Sequence, residues 1–342
     1  MKFSICIPNY NYGEYIGETI DSVLSQDFED FEIVITDNKS TDNSWEVIQS
    51  YVKKDSRVRA YQNLTNLGFA GNLDEVSSRA LGEYLILLSS DDIMNPMALT
   101  VFSKTIEALG NSNSLILGSS QNRIDHDSKL IRREPIRGVW EEEDFNSDLT
   151  ELIGDKVYSN RSADILRRCL SSYKGAFNFA ATCYSRKAYQ QVGGFSGSRL
   201  INPDKWLHWK LLGKVENAVY IDETYFNYRW HSTNQTAIQN KTGALKQLVD
   251  EYRSSFEVSD SLLAKAGFNR DQLINKFIDK VILPYAFLKL KDGNILEAKR
   301  ALRFGWATYP RHMRANSKSL YMRSLVSLGV LGVMVTKLKN RI

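Results

Sequence analysis

Three short apolar runs, residues 3–7, 31–35 and 84–88, each close on Pro, Asp, Asn or Ser, and amphipathic segments lie between them. Runs this short and this continuously apolar predict strands covered on both faces, as in a parallel sheet. Tyr15, Ile16, Ile20, Val23 and Leu24 share one helical face, as do Trp45, Val47, Ile48, Tyr51 and Val52. Strand alternating with helix restricts the chain to α/β layers. Ser40 to Asp42 are N-cap candidates for the second helix, and Asn95-Pro96 precedes a helix over 97–109 with Pro in its first turn. Strand signals return at 181–184, 218–221 and 225–230, separated by a Gly193-Gly194 turn and a Trp-rich helix over 205–212. Residues 121–160 are charged and weakly periodic, which predicts a mobile or accessory stretch.

A chain of 342 residues, 43% hydrophobic and 25% charged, has room for a sizeable core and is neither disordered nor collagen-like. Past residue 240 the pattern is helical throughout, so the expected division is an α/β domain over 1–240 and a helical C-terminal region over 241–342. Within the latter, 290–310 reads as a helix after the turn Asp292-Gly293-Asn294, with Ala298, Ala301, Leu302 and Gly305 at packing spacings. It resembles one tetratricopeptide hairpin without a second copy, so a helical appendage is expected. Cys6, Cys169 and Cys183 are odd in number and widely spaced, which suggests neither disulfides nor a zinc site. The apolar run at the N-terminus is broken by Pro8 and Asn9, too early for a signal-peptide core, so a cytoplasmic protein is expected.

The formal charge of +4 is a cancellation. Residues 289–342 hold 12 Lys and Arg against Asp292 and Glu297, a balance of +10, and the preceding 288 residues carry −6. Inside the basic tail, 325–336 is an uncharged apolar stretch of twelve residues. Spanning a bilayer takes about 20. It is therefore either a core helix or an interfacial helix on an anionic membrane, and the flanking cations favour peripheral attachment at the inner face of the plasma membrane. No nucleic-acid motif accompanies these charges, which excludes that partner.

Ligands of an open parallel sheet bind at the carboxyl ends of its strands. The exits here read Pro8-Asn9-Tyr10-Asn11, Thr36-Asp37-Asn38-Lys39-Ser40-Thr41-Asp42 and Ser89-Ser90-Asp91-Asp92. Neither GxGxxG nor GxxxxGK[ST] occurs, so a bound diphosphate needs another source of positive charge. Asp91 and Asp92 are hard oxygen donors suited to Mg²⁺ or Mn²⁺, which complete their shells with phosphate and water. Alternatively, the two carboxylates cap the next helix.

These exits, together with Ser4-Ile5-Cys6-Ile7, Asn66-Leu67-Gly68 and Gly82-Glu83-Tyr84, resemble in order and spacing the family 2 glycosyltransferases of GT-A fold, over roughly residues 2–235. The resemblance implies a mainly parallel sheet flanked by helices. It also implies an inverting transfer from a nucleotide-sugar, usually a UDP-sugar, with a divalent metal, as in bacterial cell-surface polysaccharide assembly (capsule or lipopolysaccharide). Asp37 matches the aspartate that pairs with the uracil ring N–H. Pro8, Tyr10 and Asn11 lie where the family packs the nucleoside, Asn38, Asn66 and Ser90 join them as donor-binding residues, and Asp91 and Asp92 match the metal motif. The family often has Asp where this chain has Ser89.

Val192-Gly193-Gly194-Phe195 resembles the family's GGF turn, and Asp204 falls at the position of its catalytic base. Pro203 replaces the Glu that usually precedes it. An inverting displacement needs one carboxylate to take the acceptor proton. Asp204 is also placed to cap the helix after it. Tyr228-Arg229-Trp230-His231-Ser232 resembles the family's YRxH segment, with His231 facing metal or diphosphate and Arg229 supplying charge to the donor. Phe226 breaks the QxxRW signature of processive synthases, so one sugar per encounter is expected, to a glycan or polyprenyl-linked acceptor. The competing readings are a sugar-phosphate nucleotidyltransferase, which lacks its basic glycine-rich loop here, and a non-catalytic nucleotide-sugar-binding scaffold.

Overall fold

The computed structural model describes residues 1–110, 113–136, 138–195, 204–231, 234 and 244–339. These fall into two compact units, one from the described residues of 1–166, 175–199 and 203–232, the other from those of 167–174 and 233–342.

The first unit is built on a ten-stranded sheet: β1 Phe3–Asn9, β2 Phe31–Asp37, β3 Val58–Gln62, β4 Tyr84–Leu87, β5 Ile93–Met94, β6 Leu115–Ile124, β7 Leu130–Glu134, β8 Val157–Arg161, β9 Thr182–Ser185 and β10 Asn217–Arg229. Its order is β3-β2-β1-β4-β9-β6-β10-β5, with β7 on β6 and β8 on β10. Helices α1 Ile16–Leu24, α2 Ser44–Lys54, α3 Gly68–Ser78, α4 Ala98–Ala108, α5 Ser147–Ile153, α6 Ser162–Ser172, α7 Arg186–Gln191 and α8 Asp204–Leu212 alternate with it. Every residue of β1 and β2 is buried, the both-face coverage that their uniform apolarity requires. The cysteines are free and buried, and burial pushes the Cys6 and Cys183 thiols up.

The sheet is parallel across β3-β2-β1-β4, and in that register Asn9 lies opposite Asp37, so the polar ends of two strands open at one edge. Beyond β4 it is mixed: β9 is antiparallel to β4 and β6, and β10 runs parallel to β6. The two strand signals at 218–221 and 225–230 belong to the single β10, whose register shifts between Ile221, Thr224 and Phe226. Past that irregularity, Phe226 and Asn227 pair with Met94 and Ile93 of β5, which brings the end of β10 beside the segment that follows Asp92.

The stretch 121–160 is not accessory. It supplies the end of β6, then β7, α5 and β8. Apolar periodicity missed it because β7 is almost wholly exposed and held by charge pairs such as Arg132 and Arg123 on Glu134. The cap expectations also shift. Helix α2 begins at Ser44, whose N–H donates to Asp42, and α4 begins at Ala98, whose N–H donates to the Asn95 carbonyl.

The second unit contains α9 Ala244–Glu257, α10 Asp260–Lys265, α11 Arg270–Phe277, a π turn Ile278–Ile282, α12 Leu283–Lys291, α13 Ile295–Thr308, α14 Pro310–Ala315, α15 Ser317–Ser327 and α16 Val330–Lys339. The expected helix over 290–310 is the end of α12, a turn, and α13. Gly305 of α13 lets Met313 and Ile282 approach where a Cβ would meet their side chains near 3 Å. The apolar stretch 325–336 is not one helix. Gly329, at φ +57, breaks it, and Gly332 lies so close to the Leu325 carbonyl that a Cβ there would clash with backbone. Leu325 and Val326 are buried, whereas Val330, Leu331, Met334 and Val335 are exposed.

Candidate active site

At the first two strand exits the chain is cross-laced. Asn9 Nδ2 donates to Asp37 Oδ1 at 2.9 Å, the Asn11 N–H to Ser40 Oγ at 2.9 Å, and the Thr41 N–H to Asn11 Oδ1 at 2.8 Å. Asn11 and Lys39 both take left-handed backbone, at φ +59 and +63. That conformation costs a non-glycine residue roughly 1–2 kcal/mol, and the cross-bonds hold it. Tyr10 is exposed at this rim, while Pro8 is buried within β1 opposite Thr36.

Asp37 is fully buried and its oxygens are engaged. Oδ1 accepts from Asn9 and the Ser40 hydroxyl, and Oδ2 accepts from the Ser40 N–H and from Gln62 Nε2, both at 3.0 Å. Four donors fill the four lone-pair sites of a carboxylate, so a base N–H meets no open acceptor here unless one donor leaves. Gln62, itself exposed, is the donor at the rim. Asn38 is equally committed: its amide bonds Asn66 Oδ1 and the Gly68 carbonyl, and its oxygen accepts from Leu67 N and Asn63 Nδ2. Asn66 is exposed, its Oδ1 also accepting from Gly68 N.

The third exit carries the acid pair. Ser90, Asp91 and Asp92 are all buried. Asp92 Oδ1 accepts the Arg229 N–H at 2.9 Å, and Oδ2 has no hydrogen-bond partner. Burial, and then the charge of Asp91, push the Asp92 carboxyl well above the usual range. His231 Nε2 donates to Asp91 Oδ2 at 2.9 Å, and its ring stacks on Tyr15 and meets the edge of Tyr12. Burial followed by the charges of Asp91 and Asp92 raises the Tyr12 phenol.

An unpartnered, buried carboxylate oxygen beside a second carboxylate fits a hard divalent cation. Among the described residues no group of three or more His, Cys, Asp and Glu forms a metal cage. Asp91 and Asp92 would hold such an ion together with non-protein oxygens, and His231 stands behind Asp91 as its hydrogen-bond partner.

Arg229 does not present a free charge to a donor. It is 1% exposed, and its guanidinium reaches five protein oxygens: the carbonyls of Asp91 (2.8 Å), Asp125 (3.3 Å) and His126 (3.0 Å), Ser128 Oγ (2.9 Å) and Glu18 Oε2 (2.6 Å). The guanidinium that its motif assigns to the donor is thus already engaged by protein oxygens. Sequence reasoning missed Glu18 and Ser128, which lie far away along the chain and carry no motif.

Asp204 opens α8, half-buried, so it belongs to the first helical turn. Its neighbours Asn202 and Pro203, like Ser232, lie outside the described residues. One turn along, His208 is 1% exposed, with Nδ1 unpartnered and its ring edge-on to Phe177. Burial pushes this imidazole down to about 4, opposed by the charge of Asp204. The i, i+4 spacing was the available signal. The GGF turn is held from α3 and from the last turn of α8: Asp74 Oδ1 accepts from Phe195 N, and Lys210 Nζ donates to the carbonyls of Val192 and Gly194.

Two measurements check this arrangement. Arg229→Met leaves the carbonyls of Asp91, Asp125 and His126 without their donor, and urea unfolding is expected to show a loss of about 1–3 kcal/mol. His208 has a folded-state value below its ordinary 6.5, so the unfolded chain protonates first and stability falls as pH drops from about 6.5 toward 4. His208→Gln is expected to flatten that acid limb by up to about 3 kcal/mol, read as urea midpoints across pH; an unchanged slope would contradict the buried neutral imidazole.

The fold agrees with known proteins. The family model described as glycosyl transferase family 2 matches residues 4–174. A relative described as an uncharacterized glycosyltransferase of Nostoc sp. is 34% identical over 290 residues, 79% of this chain and 80% of that protein. The GalNAc(5)-diNAcBac-PP-undecaprenol beta-1,3-glucosyltransferase of Campylobacter jejuni is 26% identical over 172 residues, 46% of this chain and 55% of that one. Among solved structures, residues 1–349 of S. aureus TarS in complex with UDP-GlcNAc superimpose with a TM-score of 0.63 at 17% identity, covering 98% of this chain and 89% of that one. That likeness carries the GT-A fold. The chain belongs to glycosyl transferase family 2 and is a glycosyltransferase.

Proposed function

We propose that this glycosyltransferase moves one sugar per encounter, with inversion, from a UDP-sugar to a hydroxyl of a glycan or polyprenyl-linked acceptor in cell-surface polysaccharide synthesis. The observation that carries the reading is the buried Asp91–Asp92 pair at the carboxyl end of β4, with one Asp92 oxygen lacking any partner. The Campylobacter relative, whose name describes a lipid-linked acceptor, and the TarS complex with UDP-GlcNAc support the substrate classes.

Each residue then has a task. Tyr10 and Asn66, exposed at the exits of β1 and β3, frame the nucleoside, and the base N–H replaces the Gln62 amide on Asp37 Oδ2. Asn11 and Asn38 hold the loops that form this frame, and Ser90 begins the turn that carries the acid pair. A divalent ion, Mn²⁺ or Mg²⁺, held by Asp91 and Asp92 would supply charge to the diphosphate and stabilise its departure. His231 fixes the orientation of Asp91, and Arg229 fixes Asp92 through its backbone. Asp204 takes the acceptor hydroxyl proton on a carboxylate oxygen as that hydroxyl attacks the anomeric carbon.

A thermal-shift panel of nucleotide-sugars with and without Mn²⁺ tests the donor. A ligand at about 100 times its dissociation constant adds about 2.7 kcal/mol, and the metal-dependent part is expected to vanish in Asp92→Asn. Asp204→Asn is expected to keep the donor shift while UDP release to acceptor falls by about 10²–10⁴-fold, with product NMR showing the inverted anomer in the wild type. Retained turnover in Asp204→Asn removes that base, and pyrophosphate in place of UDP reassigns the chain as a nucleotidyltransferase.

A further inference from the structure

Helix α16 is amphipathic in the wrong sense for a helix facing water. Its exposed positions are Val330, Leu331, Met334 and Val335, while its buried ones include Gly332 and Thr336. At the α-helical repeat these four exposed side chains fall within an arc of about 140°. Leu328, just before the Gly329 turn, and Leu320 and Tyr321 of α15 are also exposed. Leu328, Val330, Leu331 and Met334 each keep more than half of their surface open to solvent. An apolar surface this continuous marks an interaction site.

The arrangement is fixed. The approach of Gly332 to the Leu325 carbonyl seats α16 on α15, and α16 also packs on α12. Turning the stripe inward would drive Cβ-bearing residues into the place where only a glycine fits. The stripe therefore faces outward because the packing of the helix requires it.

The charges say what covers it. From Ala298 to the end of the chain there is no Asp or Glu, against ten Lys and Arg. Arg311 and Arg314 of α14 and Lys318 of α15 are exposed and form no ion pair among the described residues. A second copy of this face would bring Arg311, Arg314 and Lys318 against cations, offset in part by the exposed Asp271 that pairs with His312, and nucleic acid has no use for the aliphatic stripe. A helix of ten residues reaches about 15 Å, half of a bilayer core, and no helix among the described residues is long and apolar enough to cross a membrane. An anionic lipid surface matches both features at once: acyl chains for the stripe and headgroups for the cations.

We propose that the end of the second unit formed by α14, α15 and α16 is a docking face for an anionic phospholipid bilayer. Val330, Leu331, Met334 and Val335 enter the acyl boundary, and Arg311, Arg314 and Lys318 contact the headgroups. The inference rests on this face alone and survives any revision of the transfer chemistry.

The full chain is sedimented with vesicles of phosphatidylcholine alone and of phosphatidylcholine containing phosphatidylglycerol. Binding to the anionic vesicles at low salt is expected, with little to the neutral ones. The double variant Leu331→Asp, Met334→Asp is expected to lose it. Arg311→Gln, Arg314→Gln and Lys318→Gln are each expected to weaken partition by about fivefold, and added salt acts in the same direction. All five positions are exposed, so circular dichroism and the donor thermal shift should be unchanged. Absence of sedimentation with anionic vesicles at low salt overturns the proposal, as does wild-type binding by the double variant. A concentration-dependent dimer that the double variant abolishes, with no vesicle binding, would reassign the face to contact between copies.

Discussion

The site depends on one buried cation. A guanidinium removed from water is tolerated only when its donors are met, and those of Arg229 are met by oxygens from α1, from the segment after β4 and from the turn between β6 and β7. That set exists only if β10 continues past its irregularity to lie beside both Ile124 and β5. It also requires the turn to close with Ser128 at φ +63, where its hydroxyl reaches Glu18 as well as Arg229. The acid pair is thus positioned by a strand 137 residues downstream of Asp92, through the bond from Arg229 N to Asp92 Oδ1, rather than by its own short loop.

This explains how two adjacent carboxylates are held indoors. Like charges in a low-dielectric setting repel, and each buried acceptor without a partner costs roughly 1–3 kcal/mol. The Arg229 backbone answers one Asp92 oxygen and His231 answers one oxygen of Asp91. The other Asp92 oxygen has no hydrogen-bond partner, and although the Ser89 side chain favours the charged form, burial outweighs it, so the fold keeps a destabilised carboxylate at the strand exit. A divalent cation held there would meet a group already dehydrated and oriented, the condition under which electrostatic stabilisation is strongest.

The exits themselves were legible because burial on both faces forces β1, β2 and β4 to be uniformly apolar and leaves polar residues at their ends. The β6–β7 hairpin was not, since an exposed strand held by Arg132, Arg123 and Glu134 has no apolar period to read. At single residues, sequence gave chemical type without environment. Arg229 looked like a charge for the donor until its burial and its oxygens were known, and Asp37 looked like an open acceptor until its four donors were counted. The tail shows the same limit at the scale of a helix. The apolarity of 325–336 was plain, but a string of residues does not say which way they face; Gly329 and Gly332 decide that Leu325 and Val326 turn in and that Leu331 and Met334 turn out.

Local rules fail together at one edge of the sheet. Of the four non-glycine residues with left-handed backbone among the described residues, Asn11 and Lys39 flank the first two exits and Ser128 belongs to the Arg229 network. Asn9 Oδ1, buried at the end of β1, also lacks a partner, as does Asp92 Oδ2 at the third exit. Backbone strain and unmet acceptors persist only where surrounding bonds over-determine them, and in natural sequences such lapses gather where a ligand is handled. At the carboxyl ends of β1, β2 and β4, left-handed backbone at Asn11 and Lys39 occurs together with unmet acceptors on Asn9 and Asp92, and that coincidence points to the site independently of any motif.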